Sequence, residues 1–193
     1  DWLILGASRN WMEKSAPKHA FAIRYVDGDF VEVPVGHPVD RIDALGGDGI
    51  AIGEADGALH FTSLSLGAKP EVADRFSLRD ARQGDQRTHG FFYRATGPQE
   101  GFVGLPILGG ATNDSQKASV LFLRNQNLRL QDVGTLDAMR KTLGNDGCKA
   151  SCVDWYGDAR PIFIGERVFA LLGYELVEGR FDGRRIQERR RVD

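Results

Sequence analysis

Cysteine is scarce in this chain, and proline, methionine and any surplus of one charge are scarce with it. Two cysteines in 193 residues allow one bridge at most. A structural zinc site would need about four ligands, more than the two cysteines supply. The net charge is −2 with 27% of residues charged, which leaves no global field favouring nucleic acid or an acidic membrane surface. No window approaches the roughly 18 uninterrupted apolar residues of a membrane span, and Asp1-Trp2-Leu3-Ile4-Leu5 lacks a basic region ahead of an apolar run. Also missing are a Gly-rich phosphate loop, a GxSxG elbow, an HExxH pair and an EF-hand loop. The nearest glycine cluster, Gly46-Gly47-Asp48-Gly49, leads into a strand pattern rather than a helix N-terminus, so it lacks the free amides that hold phosphate.

What the chain does have is glycine, 24 of them against 7 prolines, and glycine serves wherever a tight turn needs a positive φ. With 41% hydrophobic residues the composition is that of a globular protein. Apolar residues alternate with period two in short segments such as Ala20–Val26, Ala58–Leu66, Glu71–Leu78, His89–Arg94 and Ala118–Arg124, which reads as strands. Asp27-Gly28-Asp29, Asp56-Gly57 and Asp182-Gly183 stand between such segments as hairpin turns. The one helix the pattern suggests is Leu136–Leu143.

Gly49-Ile50-Ala51-Ile52-Gly53 aligns with Gly101-Phe102-Val103-Gly104-Leu105, with Arg167-Val168-Phe169-Ala170-Leu171 and with Asp1-Trp2-Leu3-Ile4-Leu5. In each full unit one strand precedes this slot and two follow, at the roughly 40–50 residues per four-stranded blade of a propeller. The expected fold is therefore all-β: antiparallel four-stranded blades forming a partial β-propeller, with a β-sandwich as the alternative. The expected units are 1–36, 37–80, 87–135 and 151–192, with 136–150 inserted as the short helix and a cysteine loop. In this register the chain starts on the second strand of a blade, and three and a fraction blades cannot close a ring. The expected partner is therefore the remaining propeller blades or an N-terminal chain fragment.

The stretch Cys152-Val153-Asp154-Trp155-Tyr156-Gly157-Asp158-Ala159-Arg160-Pro161-Ile162-Phe163-Ile164, continuing to Leu172, resembles bacterial secreted proteins with a C-terminal β-propeller distantly related to the WD-repeat type. Leu59–Val72, a strand followed by a Pro-containing turn into the next strand, fits the same pattern. The resemblance implies an exported bacterial protein, periplasmic, outer-surface or secreted, and brings no catalytic residues with it.

Candidate chemistry is thin. Cys148 and Cys152 are close enough for a small disulfide loop, which would place the chain in an oxidising compartment; two free thiols or a metal are the other readings. Of His19, His37, His60 and His89, none is spaced as a local metal pair, and His60 reads as a solvated or hydrogen-bonded strand residue. His89 is placed on the first strand of its blade, and first strands line a propeller's channel. Arg41, Asp43 and Asp154 would share that placement, so these four form a candidate ligand-binding cluster for a small molecule or an ion. Asp27, Asp29, Asn113 and Asp114 are turn oxygens that could hold calcium, although turns favour Asp and Asn for backbone reasons alone. The arginine-rich Arg184–Arg191 reads as an edge strand guarded by charge rather than a nucleic-acid site, since base-stacking aromatics are missing nearby. The function these residues suggest is a non-enzymatic binding or scaffolding module for a protein or small-molecule ligand. The competing reading is a hydrolase or lyase whose polar site is completed by missing blades.

Overall fold

A computed structural model describes residues 1–8, 17–109, 118–139, 159–173 and 175–192. Cys148, Cys152, Asn113, Asp114 and Asp154 lie outside the described residues. The strands form four antiparallel sheets. The first has three strands, β1 (Trp2–Gly6), β2 (Ala20–Arg24) and β3 (Phe30–Val33), paired in that order. The second is a four-stranded meander of β4 (Arg41–Leu45), β5 (Asp48–Ala55), β6 (Ala58–Ser65) and β7 (Glu71–Arg79). The third contains β8 (Ala81–Gln83), β9 (Phe92–Gly97), β10 (Glu100–Gly109), β11 (Ala118–Gln126) and β12 (Arg129–Asp137). The fourth is again a meander, β13 (Ala159–Ile164), β14 (Arg167–Leu172), β15 (Glu175–Phe181) and β16 (Ile186–Val192). The fold is thus all-β and built of blade-like antiparallel meanders, and the four aligned segments lie on β1, β5, β10 and β14.

Local chemistry accounts for the turns. Ala55 pairs with Ala58 across a two-residue loop in which Asp56 and Gly57 take φ values of 51° and 74°. Positive φ at both positions is the type I′ geometry that matches the twist of a hairpin, and Asp-Gly tolerates it. Strand β7 alternates strictly between exposed and half-buried positions, as a strand with one covered face must.

The chain divides into two compact units, residues 1–80 with 95–101 and 125–131, and residues 81–94 with 102–124 and 132–193. In the first, the inner face of the three-stranded sheet packs on the second sheet through Ala20, Ala22 and Val33 against Val35, Val39, Ala51 and Leu64. In the second, Val120, Phe122 and Val133 of the third sheet meet Val168, Ala170 and Val177 of the fourth. Each unit therefore hides apolar surface by laying one sheet face on another, which removes that area from water at about 25 cal/mol per Å².

The expected helix at Leu136–Leu143 does not begin where the pattern placed it, and the described residues contain no α-helix. Leu136 and Asp137 continue β12, because Leu136 is buried in the second unit's core, where its Cδ1 would lie 2.9 Å from a Cβ added at Gly179. Tertiary burial outweighs local helix preference there. Strand β8, three residues long, was not anticipated.

Candidate functional site

The first strand of the third sheet is broken. Both β8 and β9 pair with β10, whose other edge is held by β11, so the two short strands occupy one edge with residues 84–91 looping out between them. Gly84 N donates to Pro106 O at 2.9 Å as the chain leaves the ladder, and a 3₁₀ turn at Thr88–Gly90 brings it back. Interrupted strands beside sheet edges are a common way to re-aim side chains.

Asp85, Arg87 and His89 stand in this loop. The Asp85 side chain is only 3% exposed. Its Oδ1 accepts from Arg87 N at 2.8 Å and from Arg87 Nε at 3.2 Å. Its Oδ2 lies 3.2 Å from His89 Nε2, an ion pair whenever the ring is protonated. Gly90 allows the close turn, since a Cβ there would sit 2.8 Å from Asp85 O. The result is a half-exposed imidazole at ion-pair distance from a buried carboxylate, without the aligned hydrogen bond that would fix the ring as a general base. His89 therefore belongs to a turn rather than to the strand expected for it, because the strand is interrupted before reaching it.

Arg41 and Asp43 lie on β4 in the other unit, opposite Ile52 and Ile50. Their spacing of two puts them on one face, and Arg41 Nη1 donates to Asp43 Oδ2 at 3.0 Å. Arg41 is buried. Burial raises the Asp43 carboxyl above the usual range even though the guanidinium pulls it down, which marks an ion pair partly withdrawn from water. Of the four residues in the expected cluster, the structure brings Arg41 and Asp43 together and gives His89 a different partner, Asp85.

The histidine-by-histidine reading of the sequence missed a second arrangement in the first unit. His37 is buried; its Nδ1 lies 2.7 Å from Pro38 O and its Nε2 2.8 Å from Thr62 Oγ1. A carbonyl can only accept, so Nδ1 carries the proton, while the Thr62 hydroxyl sits between Nε2 and Val35 O, the latter at 3.4 Å. The His60 ring stacks on His37 at 5.4 Å, and Arg75 donates to Val35 O and Pro34 O at 3.2 and 2.6 Å. Burial, with smaller contributions from His60 and Arg75, holds His37 below the ordinary histidine range. This cluster ties the segment entering the second sheet to β6 and leaves its ring no free nitrogen, so its role is structural.

Among the turn oxygens considered for calcium, Asp27 and Asp29 face Arg24 Nη1 at 3.2 and 3.5 Å, so the two carboxylates share one guanidinium. The arginines of β16 are partly engaged as well. Arg191 pairs with Glu175 and Glu188 and donates to Asp137 O at 2.9 Å. Arg189 and Arg167 share Glu178, whose carboxyl is held low by the hydrogen bond from Arg167.

No family model matches the sequence, and no curated protein matches it. Among solved structures it is similar to a protein from Lactobacillus plantarum, at 8% identity over 98% of this chain with a TM-score of 0.31. It is also similar to a provisional 6-phosphogluconolactonase from Bacteroides fragilis, at 10% identity over 90% of the chain with a TM-score of 0.28. The chain spans 66% and 63% of the lengths of those two proteins. Likeness this distant carries neither fold detail nor chemistry across.

Proposed function

We propose that the chain is a non-enzymatic binding or scaffolding module, exported by a bacterium and forming one part of a larger propeller. The observation that supports this reading is the pair of uncovered apolar sheet faces. Leu3, Leu5 and Phe30 on the first sheet are 53, 46 and 61% exposed, and Ile164 and Val192 on the fourth are 61 and 51% exposed. Large apolar side chains left exposed on sheet faces favour an interaction site, and the remaining blades or a companion chain fragment are the partners that would cover them. The polar pairs argue the same way: His37–Thr62 joins the entry segment to β6 and Arg41–Asp43 pair along β4, within one unit. Native and intact mass of the purified protein, with and without reductant, tests the reading. A species heavier than one chain is expected, together with a two-proton mass gain on reduction if Cys148 and Cys152 are bridged. A protein that remains a lone chain at all concentrations overturns the scaffolding reading.

One observation favours a second reading, a hydrolase or lyase: the carboxylate-backed imidazole of His89 in the broken strand. Such a dyad can take a proton from water or from a carbon acid once substrate is placed beside it. A panel of activated esters, lactones and uronides tests it. Turnover lost in His89→Ala supports the enzyme; equal rates for the two proteins refute it.

A further inference from the structure

The outer faces of the first and last sheets differ in charge while sharing an apolar character. On the fourth sheet, alternation places Ile162, Phe169, Leu171, Leu176 and Val192 opposite the core-packed face, in two cross-strand rows. Arg160 heads the row Arg160–Leu171–Leu176–Val192, and Arg190 ends the row Ile162–Phe169–Glu178–Arg190. Arg180, opposite Gln187, lies on the same face. Arg167 and Glu178 answer each other at 2.9 Å, which leaves Arg160, Arg180 and Arg190 in excess. All three are exposed.

On the first sheet the rows of the outer face are Leu3–Ile23–Phe30 and Leu5–Phe21–Glu32. Phe21 and Phe30 stack at 5.4 Å. This face carries Glu32, met by the His19 ring, and no arginine or lysine among its described strand residues. Its opposite face is the one buried on the second sheet.

We propose that these two faces are made for each other in trans: the arginine-rimmed face of the fourth sheet in one copy packs on the acidic, aromatic face of the first sheet in a second copy. The inference rests on the larger-propeller reading and names the source of the missing blades. Three observations carry it. Sheet face on sheet face is the packing that builds both units of this chain. The fourth-sheet face carries three arginines beyond its ion pair, while the charged group of the first-sheet face is one carboxylate, Glu32, with the His19 ring beside it. The arginines are interleaved with aliphatic side chains, which a protein face can desolvate and a phosphate backbone cannot. Because the two faces are different patches, the contact is heterologous.

The test uses native mass spectrometry and light scattering on the full chain and on two exposed-site variants, Leu176→Asp for the fourth sheet and Phe30→Asp for the first. The expected result is a wild-type species of two or more chain masses. Each variant alone should associate at least about tenfold more weakly, and an equimolar mixture should recover a one-to-one heterodimer, since one contact in the mixed pair keeps both native faces. Circular dichroism and melting temperature confirm that both variants fold; if either does not, Arg190→Glu replaces Leu176→Asp and Leu3→Asp replaces Phe30→Asp, both at exposed positions. An assembly indifferent to both variants overturns the inference, as does a mixture without recovery. A lone chain whose heparin retention vanishes in Arg190→Glu reassigns the arginines to a polyanion. A chain bound to a different polypeptide overturns the second copy but leaves the larger propeller standing, whereas a lone chain with no companion overturns both.

Discussion

Two strands open their sheets in this molecule, and they treat polar side chains in opposite ways. Strand β4 is continuous. Its Arg41 and Asp43 sit opposite Ile52 and Ile50, lean on each other at 3.0 Å and are spent on holding the sheet. The edge of the third sheet is split into β8 and β9, and the residues between them present an imidazole 39% exposed to solvent over a carboxylate 3% exposed. The residue types are similar, a cation beside an acid. Backbone continuity separates them: in an unbroken ladder each side chain has cross-strand neighbours to meet, while an excursion aims its side chains away from the ladder.

The largest expected effect concerns how tightly the continuous strand is held at its entrance. A Cβ at Gly53 would fall 1.7 Å from Pro38 O, a backbone atom that cannot swing aside. Gly53→Ala should therefore cost about 3 kcal/mol or more in urea unfolding. Gly90 has the corresponding role in the broken strand, but the contact there is 2.8 Å from Asp85 O and a loop can yield. Gly90→Ala should cost about 1–2 kcal/mol. If the two losses are equal, the contrast between a locked entrance and an adaptable loop is wrong.

The His37 tie gives the same contrast a pH dependence. Its folded-state proton affinity is below the ordinary histidine value, so below about pH 6.5 the unfolded chain binds a proton that the folded chain refuses. Stability linked to His37 is fully present above that pH and is lost as pH falls toward the folded value. In His37→Gln the pH dependence of the urea midpoint should flatten below about pH 6.5, with a lower plateau because the Thr62 hydrogen bond is weakened. A slope unchanged by the substitution would assign the acid sensitivity to other groups.

How much of this could be read in advance follows from range. Alternation in Glu71–Arg79 and the Asp56-Gly57 turn are local, and both were legible. The aligned slot falls on the second strand of the second and fourth sheets, β5 and β14, but on the edge strand β1 of the first. Strand β8 was not legible, since three residues, Ala81–Gln83, are too few for period two to show. Leu136 misled because its partner, Gly179, lies far along the chain. The His37–Thr62 bond joins residues 25 apart, so histidine spacing could not find it. Asp85 was overlooked although a signal existed: Gly84 and Gly90 bracket the polar run Asp-Gln-Arg-Thr-His, and glycines closing both ends of a polar insertion within a strand pattern suggest an excursion.

The smallest expected stability effect belongs to the residue with the most chemical opportunity. His89 is half-exposed, and its pairing with Asp85 is screened on one side, so His89→Ala should change unfolding free energy by no more than about 0.5 kcal/mol. Asp85→Ala removes a buried acceptor of the Arg87 amide hydrogen bond and should cost about 1–2 kcal/mol. The asymmetry is the informative quantity. A carboxylate that matters to the fold and an imidazole that does not is what a loop looks like when the buried partner positions the exposed one. If His89→Ala proves as destabilising as Asp85→Ala, the imidazole is one more structural tie like His37, and the broken strand loses its claim to chemistry.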